Sequence, residues 1–498
     1  MSVLSLIVFL PLAAALVLVS MPGLPATVAR WTWVAVAALD LALIVLVWAR
    51  YDSPEPGGLA FEEQVPWIPG VDSSYHVGVD GLSLPLVAMT GVIFLCCAIY
   101  ALREEQRPRI QAALFLFLQS VSLGIFVAAD LILFFLFFDL SIVAMYFVIL
   151  GWGHGEAARS ALKFFLYTFL GSLALLAGFI GLYVAAQPHT FDMVQLAQET
   201  PLAGRPVAGG LVLAAILLGL AVKTPTVPFH TWLPPAHSDA PAVGSAVLAG
   251  VLLKMGTYGF LRVAMPMLPE SWRAFAWVII AVGVVSVLYG ALVALAQQNL
   301  KRMIAYTSVN HMGYIVLAVG VAGLLADDTA AAREVAVTGA VTQMVSHGLI
   351  TGALFLLAGV LHNRAATYDM GDYGGLADPA PRMATLFAVG AFASLGLPGL
   401  SGFIAEFQIF TGSIAVAPIT AVALLGILLV AALFLRALQR VFTGDTRGAS
   451  VDFEDLRPSE LSAVVPLLAL SLVIGVVPRP LLDVIEPASQ TVITLVGR

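Results

Sequence analysis

The sequence predicts an all-α polytopic membrane protein of about fourteen transmembrane helices, and three observations lead there. Hydrophobic residues make up 60% of the 498-residue chain and charged residues only 11%, against the roughly 25% charged of an ordinary water-facing protein. The apolar residues fall in runs of about twenty, long enough at ~1.5 Å per residue to cross a hydrocarbon core of about 30 Å. Two of these runs are interrupted in the middle by proline and glycine. Segments that cross lipid are helical here, because each backbone donor and acceptor needs a partner inside its own segment.

Taken in order, the expected spans are 2–21, 31–49, 81–102, 110–128, 130–151, 161–186, 209–232, 241–265, 273–297, 302–324, 335–362, 383–413, 417–441 and 459–478. The first has no basic leader ahead of it, so it reads as a retained span rather than a cleaved signal. The second holds Asp40 in mid-span and is followed by an acidic segment with Asp52, Glu55, Glu62, Glu63 and Asp72. In the third, Cys96 and Cys97 are adjacent, so their side chains diverge on a helix and cannot ligate one metal or cluster. The fifth holds Asp139 within Phe134-Phe-Leu-Phe-Phe-Asp-Leu-Ser. The seventh is broken at Lys223-Thr-Pro-Thr-Val-Pro-Phe-His230, where Pro225 and Pro228 each delete a backbone hydrogen bond. The eighth holds Lys254, in Leu252-Leu-Lys-Met-Gly-Thr-Tyr-Gly, and the eleventh holds His347, in Val345-Ser-His-Gly-Leu-Ile-Thr-Gly. The twelfth contains Ser394-Leu-Gly-Leu-Pro-Gly-Leu-Ser-Gly402, which no continuous helix would choose, and Glu406 lies just beyond it.

Sidedness follows from the basic residues. Of the 23, Lys223 and Lys254 lie within spans. Arg50, Arg205, Arg262, Arg273, Arg333, Arg479 and Arg498 share one side, and the other fourteen share the opposite one. The richer side is expected inside, which puts both termini outside. The two broken spans lie five apart, the spacing that two five-helix repeats of inverted topology produce. Paired, interrupted helices in matching halves point to a transport site near the midplane. The expected organisation is 1–102 as three N-terminal helices, 110–265 and 273–441 as the two repeats, and 442–498 as the last helix and a tail.

Each charge inside a span needs an explanation, since one at the bilayer centre costs about 2.5–3.5 kcal/mol on insertion scales. Asp139, Lys223, Lys254 and Glu406 are the candidates, joined by His347, whose side-chain type titrates near neutral pH. Burial penalises the ionised form of Asp139, and a nearby lysine offsets that penalty. Lys223 is its natural partner, and loosening the pair would release a proton from the lysine. Small residues around Lys254 and His347 leave space for water. A static buried ion pair is the competing reading, but such pairs stabilise poorly because desolvation can exceed the Coulombic gain. Weaker candidates are His230, His237 and Asp239 at the inner end of the seventh span. Tyr306, Ser308, Asn310 and His311 in the tenth, and Gln343 in the eleventh, could hydrate a channel or satisfy one another. Asp40 has no assigned role.

The net charge of −7 is spread without a basic patch, so nucleic acid is not an expected partner. Neither a CxxC pair nor a glycine-rich nucleotide loop after a strand is present, so no redox centre, metal or cofactor is expected on the chain itself.

Six stretches are similar to one family. They are Gly78-Val-Asp-Gly-Leu-Ser-Leu-Pro-Leu, Lys163-Phe-Phe-Leu-Tyr-Thr, Lys223-Thr-Pro-Thr-Val-Pro-Phe-His-Thr-Trp-Leu-Pro, Asn299-Leu-Lys-Arg-Met-Ile-Ala-Tyr, Ser346-His-Gly, and Leu397-Pro-Gly-Leu-Ser-Gly-Phe. The chain resembles, from about Gly78 to Arg440, the antiporter-like subunits shared by respiratory complex I, the Mrp cation/proton antiporters and the membrane-bound hydrogenases. The resemblance implies fourteen helices, two inverted repeats and a line of buried charges along the membrane plane. It places Asp139, Lys223, Lys254, His347 and Glu406 on the family's proton-transfer positions. Glutamate at 406 resembles the M type of complex I subunit, where the L and N types and the Mrp homologues have lysine. The absence of a lateral anchoring helix beyond the last span points the same way. Asp139 departs from the pattern, which has glutamate there, and its shorter side chain needs a helix shift or a bridging water to reach Lys223.

The resemblance further implies a subunit of a proton-translocating NADH–quinone oxidoreductase in the bacterial inner membrane, beside L- and N-type neighbours. NADH, FMN, iron–sulfur clusters and quinone would then be bound on other subunits. The rivals are a subunit of an Mrp-type Na⁺/H⁺ antiporter and a structural spacer that no longer pumps.

Overall fold

A computed structural model describes residues 3–326 and 328–498. Two helices, α1 (Val3–Ser20) and α2 (Ala26–Ala49), lead into an antiparallel hairpin of β1 (Ala60–Ile68) and β2 (Ser73–Val79), with Ala60 opposite Val79 and Ile68 opposite Ser73. Then come α3 (Leu84–Tyr100), α4 (Pro108–Val127), α5 (Leu131–Trp152), α6 (Ala157–Ala185), the short α7 (Met193–Glu199), α8 (Pro206–Lys223) and α9 (Leu233–Asp239). The next span is one continuous rod of α10 (Ala242–Val247), a π turn (Leu248–Leu252), α11 (Leu253–Gly259), a second π turn (Phe260–Ala264) and α12 (Met265–Met267). The remainder is α13 (Pro269–Ala296), α14 (Leu300–Val321), α15 (Ala330–Ala365), α16 (Pro381–Ser394), α17 (Ser401–Val416), α18 (Leu425–Val441), α19 (Pro458–Val476) and α20 (Arg479–Gly497).

Thirteen of the described helices are long and apolar enough to cross a membrane. The predicted twelfth span is the exception, because it is divided into α16 and α17, neither long enough alone. The seventh is likewise divided, with α8 stopping at Lys223 and α9 resuming at Leu233. Both interruptions fall where proline and glycine had marked them.

Burial is graded across the bundle. The α10–α12 rod, α14 and α15 are almost wholly enclosed, whereas α1, α2 and α18 turn most of their surface outward. Glycine lets α13 and α14 approach closely: a Cβ on Gly283 would lie 2.6 Å from the Leu317 nitrogen, and one on Gly313 2.7 Å from that of Val287. Small residues at such crossings are the usual device where lipid supplies no hydrophobic drive between helices. The three enclosed spans are those that bear Lys254, His311 and His347. A charged residue in the bilayer region tolerates an interior position far better than a lipid-facing one.

Two features depart from the sequence reading. The acidic segment after α2 folds as the β-hairpin, with an exposed β1 and a buried half of β2. Residues 479–498, expected as a tail, form α20, which buries Leu481, Ile485, Val492 and Val496 along one face. That helix is amphipathic rather than uniformly apolar, so a search for continuous apolar runs passes over it. Tyr51, Asp80, Arg262 and Arg498 line one cavity at this end of the bundle, and Arg103, Arg364 and Arg457 line another. By chain order the second lies at the opposite, arginine-rich end.

Candidate functional site

Lys223 is the last residue of α8. Beyond it the prolines withhold two donors, and the freed backbone is served locally. The Thr224 nitrogen bonds the Leu220 carbonyl, and the Trp232 indole bonds the Val222 carbonyl at 2.9 Å. A helix C-terminus bears a partial negative charge, a favourable place for an ammonium. Lys223 is only 1% exposed. Its Nζ donates to Ser141 Oγ at 2.9 Å and sits 4.7 Å from the centre of the Phe138 ring.

Asp139 is half-buried on α5, with one carboxylate oxygen enclosed and without a hydrogen-bond partner. Ser172 of α6 is beside the carboxyl, and the Lys223 charge acts on it. Among the described residues the two form no ion pair within 4.0 Å. The ammonium is held by the hydroxyl two residues further along α5, a partner the sequence reading did not name.

The end of α8 abuts the segment that bears Lys254. Gly256 lets the two elements touch, since a Cβ there would lie 2.3 Å from Thr224 Oγ1 and 2.8 Å from the Leu220 carbonyl. That Thr224 hydroxyl is buried without a partner. Lys254 is fully buried between the two π turns, and its Nζ donates to the Ala249 carbonyl at 2.5 Å within the first of them. Single π turns inside α-helices concentrate at functional sites.

The Lys254 ammonium also lies 2.6 Å from His347 Nδ1, and His347 Nε2 lies 3.2 Å from Ser308 Oγ. This fits a neutral imidazole that accepts from the ammonium on Nδ1 and donates to the serine through Nε2. The His347 ring meets that of His311 edge to face, with centroids 5.3 Å apart. His311 Nε2 donates to the Ser394 carbonyl at 3.1 Å, at the end of α16, and lies 3.7 Å from Glu406 Oε1. Its buried Nδ1 has no hydrogen bond of good geometry and faces the Thr307 carbonyl one turn earlier on α14.

Glu406, 5% exposed, is set by the second interruption. Gly396 has φ +73, and a Cβ on it would lie 2.8 Å from Glu406 Oε2, so glycine supplies both the left-handed turn and room for the carboxylate. Ser346, Ser401 and Ser471 bond one another in series at 2.7 Å, pinning α17 to α15 and α19 beside His347.

Four of the five predicted positions therefore belong to two groups. Lys254, His347 and Glu406 are joined through His311, while Lys223 ends a helix that abuts the Lys254 segment. Asp139 stands to one side of Lys223. His311 was a minor candidate, and the structure makes it the link; its signal in the sequence was a histidine beside asparagine and serine in an otherwise apolar span. The other weak candidates scatter. His230 packs on Tyr289 at 5.1 Å, His237 stacks on Phe355 at 4.5 Å, and Asp239 accepts from Ser160 at 2.5 Å. Asn310 donates to the Val287 carbonyl, Tyr306 faces His230, and the Gln343 oxygen is unpaired. Asp40 is fully buried and accepts from Gln119 at 2.6 Å, far from the chain of charges in sequence and on a peripheral helix.

Lysine, imidazole, imidazole and carboxylate at hydrogen-bond or near-contact distances can pass protons, because each can both take and give one. Thr224, His311, Ser394 and Gln343 also have enclosed polar atoms without partners. In folded proteins such atoms are served by internal water.

Comparison with known proteins identifies the family and the fold. A family model described as NADH:quinone oxidoreductase/Mrp antiporter, TM, matches residues 128–432. The NADH-quinone oxidoreductase subunit M of Rhodobacter capsulatus is 40% identical over 503 aligned positions, covering 98% of this chain and 95% of that protein. A chain of the respiratory complex I from Thermus thermophilus with bound NADH superposes with a TM-score of 0.88 at 30% identity, over 99% of this chain and all of that one. A chain of the Mrp complex from Dietzia, at 22% identity, shares the fold with a TM-score of 0.84 over the whole of both chains. The chain belongs to the NADH:quinone oxidoreductase/Mrp antiporter membrane family and, within it, to the subunit M group.

Proposed function

We propose that this chain moves protons through the membrane arm of an NADH–quinone oxidoreductase, along the buried line from Lys223 to Glu406. The observation behind this reading is the series Lys254–His347–His311–Glu406, four titratable side chains enclosed in the bundle, with Lys254 Nζ 2.6 Å from His347 Nδ1, the two imidazole centroids 5.3 Å apart, and His311 Nε2 3.7 Å from Glu406 Oε1. Quinone reduction elsewhere in the complex would alter the charge at Asp139 and so its hold on Lys223. A buried ammonium that loses its counter-charge favours shedding its proton. The Lys254 ammonium hands its own proton to His347 as it takes up another, His311 relays it, and Glu406 accepts it before release on the outer side.

The remainder of the reading follows. The segments 110–265 and 273–441 act as inverted halves, each with one interrupted helix. The protein resides in a bacterial cytoplasmic membrane with both termini outside, next to L- and N-type subunits. NADH, FMN, iron–sulfur clusters and quinone reside on other subunits. Glutamate at 406, in place of a lysine, favours this over an Mrp-type antiporter.

The test is proton pumping by inverted membrane vesicles fed NADH, with Lys223→Met against the wild type. Loss of the gradient in an assembled complex supports the reading. An unchanged gradient per NADH reduces the buried charges to scaffolding. Na⁺-sensitive proton exchange without any NADH-driven gradient would assign the chain to the antiporters.

A further inference from the structure

At the arginine-rich end a cavity of about 410 Å³ opens between the α3–α4 connection, the α5–α6 turn, the start of α10 and the facing ends of α15 and α19. Three rings on its wall form a compact cluster, with His154 and Tyr368 also in contact at 5.6 Å between centroids. His154 stacks on His362 with centroids 4.5 Å apart, and His362 stacks on Tyr368 at 4.6 Å, each pair inclined by 18°. His154 Nε2 is 3.4 Å from the Tyr368 hydroxyl. The Lys301 ammonium lies 5.0 Å from the centre of the Tyr368 ring. Lys301 is itself fully buried and donates to the Ala240 carbonyl, just past α9.

One further group continues inward. His237, on α9, is fully buried, stacks on Phe355, and has a hydrogen-bond partner at neither ring nitrogen. The charges of Lys301 and Lys254 both reach it. The end of α9 is tied to the cavity directly, because the backbone N–H of His154 donates to the Asp239 carbonyl at 2.8 Å.

We propose that this cavity is the vestibule that collects protons for the buried line, with the His154–His362–Tyr368 stack taking them from water and Lys301 and His237 delivering them to the Lys254–His347 pair. This rests on the proton-translocating reading above. At the stack, an O–H bond of hydronium breaks as an imidazole N–H forms. The Lys301 ammonium gives a proton to a free nitrogen of His237, and the imidazolium then reprotonates the amine so left. Charge is conserved at each step, and no oxidant or reductant enters.

The chemistry of the wall suits the task. Two of its arginines are committed, Arg364 to Glu460 at 2.7 Å and Arg457 to Glu454 at 2.6 Å, while Arg103 and Glu104 also line it. Burial first, and then the charges of Lys301 and His362, push His154 down to about 4. It is therefore neutral at working pH, and a proton taken up there is held only briefly before it passes on. A ring cluster that served only to pack loops would have no use for two imidazoles lining a cavity beside a buried lysine.

The experiment replaces His154→Phe and His362→Phe, singly and together, which retains ring stacking and removes the nitrogens. In inverted vesicles the initial rate of NADH-driven membrane potential is read with an oxonol dye and divided by NADH–ferricyanide activity, which counts assembled complexes. The double variant should fall on the order of tenfold, below the ~10²–10⁴ ascribed to a positioned proton carrier because water entering the cavity substitutes in part. Millimolar imidazole should restore much of the rate. A double variant at the wild-type rate, or a loss that imidazole leaves unchanged, overturns the proposal. A potential sensitive to Lys223→Met but indifferent to both histidines overturns this proposal alone, whereas no NADH-driven potential in the wild type overturns both.

Discussion

Replacing Glu406 by glutamine removes one charge from the end of the buried line and almost nothing else. The amide has the shape of the carboxylate and still fits beside Gly396, whose missing Cβ leaves the room. His311 Nε2 stands 3.7 Å from Glu406 Oε1, with both side chains more than nine-tenths buried. When a proton reaches His311 beside an ionised Glu406, the attraction between imidazolium and carboxylate at that separation is about 4 kcal/mol at an effective dielectric of ~20. Glutamine forfeits it, so the protonated His311 intermediate becomes scarcer by a factor on the order of 10³. Glu406→Gln should therefore stall NADH-driven proton translocation in inverted vesicles while NADH–ferricyanide activity, an index of assembly, stays near the wild type. Glu406→Asp, which retains the charge at a slightly greater distance, should keep a substantial part of the rate. If the glutamine variant moves the wild-type number of charges per NADH in an assembled complex, the carboxylate is no acceptor and its contact with His311 is mere packing.

Two further outcomes follow from particular contacts. Ser141→Ala removes the oxygen that Lys223 holds at 2.9 Å; leaving a buried donor unsatisfied costs about 1–3 kcal/mol, so translocation should slow by roughly tenfold or more, with Ser141→Thr restoring it. On the opposite face, His76 lies between Asp192 at 2.6 Å and Glu62 at 2.7 Å. Burial opposes charge on both His76 and Asp192, but their mutual hydrogen bond, with help from Glu62 for the histidine and the Gln195 N–H for the aspartate, outweighs it. His76 is thereby raised above its ordinary 6.5 and Asp192 lowered below its ordinary 3.8. The histidine's contribution to stability is complete below 6.5 and lost as pH climbs through its raised value; the aspartate's is complete above 3.8 and lost as pH falls through its lowered value. Thermal unfolding should show a plateau between these limits, and His76→Gln should flatten the alkaline decline; an unchanged alkaline limb would refute the assignment.

Several parts of the site were legible before any coordinates. The interruptions at Lys223–His230 and Ser394–Gly402 were readable because proline and glycine act on the backbone at their own positions. The buried charges were readable because each is costly in an apolar span whatever surrounds it. The partner of Lys223 was not. Asp139 and Ser141 are two residues apart, so on a helix they point to nearly opposite sides, and only the rotation of α5 against α8 decides which one the ammonium meets. His311 was underweighted for a similar reason. A polar histidine can be satisfied on its own helix, and its place between His347 and Glu406 comes from α14 packing against α15 and α17. The hairpin and α20 escaped because half-polar elements lack the continuous apolar runs that mark a span.

By itself the sequence determined that the chain crosses a membrane many times, where two of its helices break, and which residues bear the costly charges. All three are local consequences of placing a backbone or an ion in hydrocarbon. Tertiary structure alone decided the order in which those residues touch. Lys254 and His347 are 93 positions apart, and His311 and the Ser394 carbonyl 83. Their contacts depend on how each helix is rotated and pressed against its neighbours, and that is set by the packing of side chains from several spans at once.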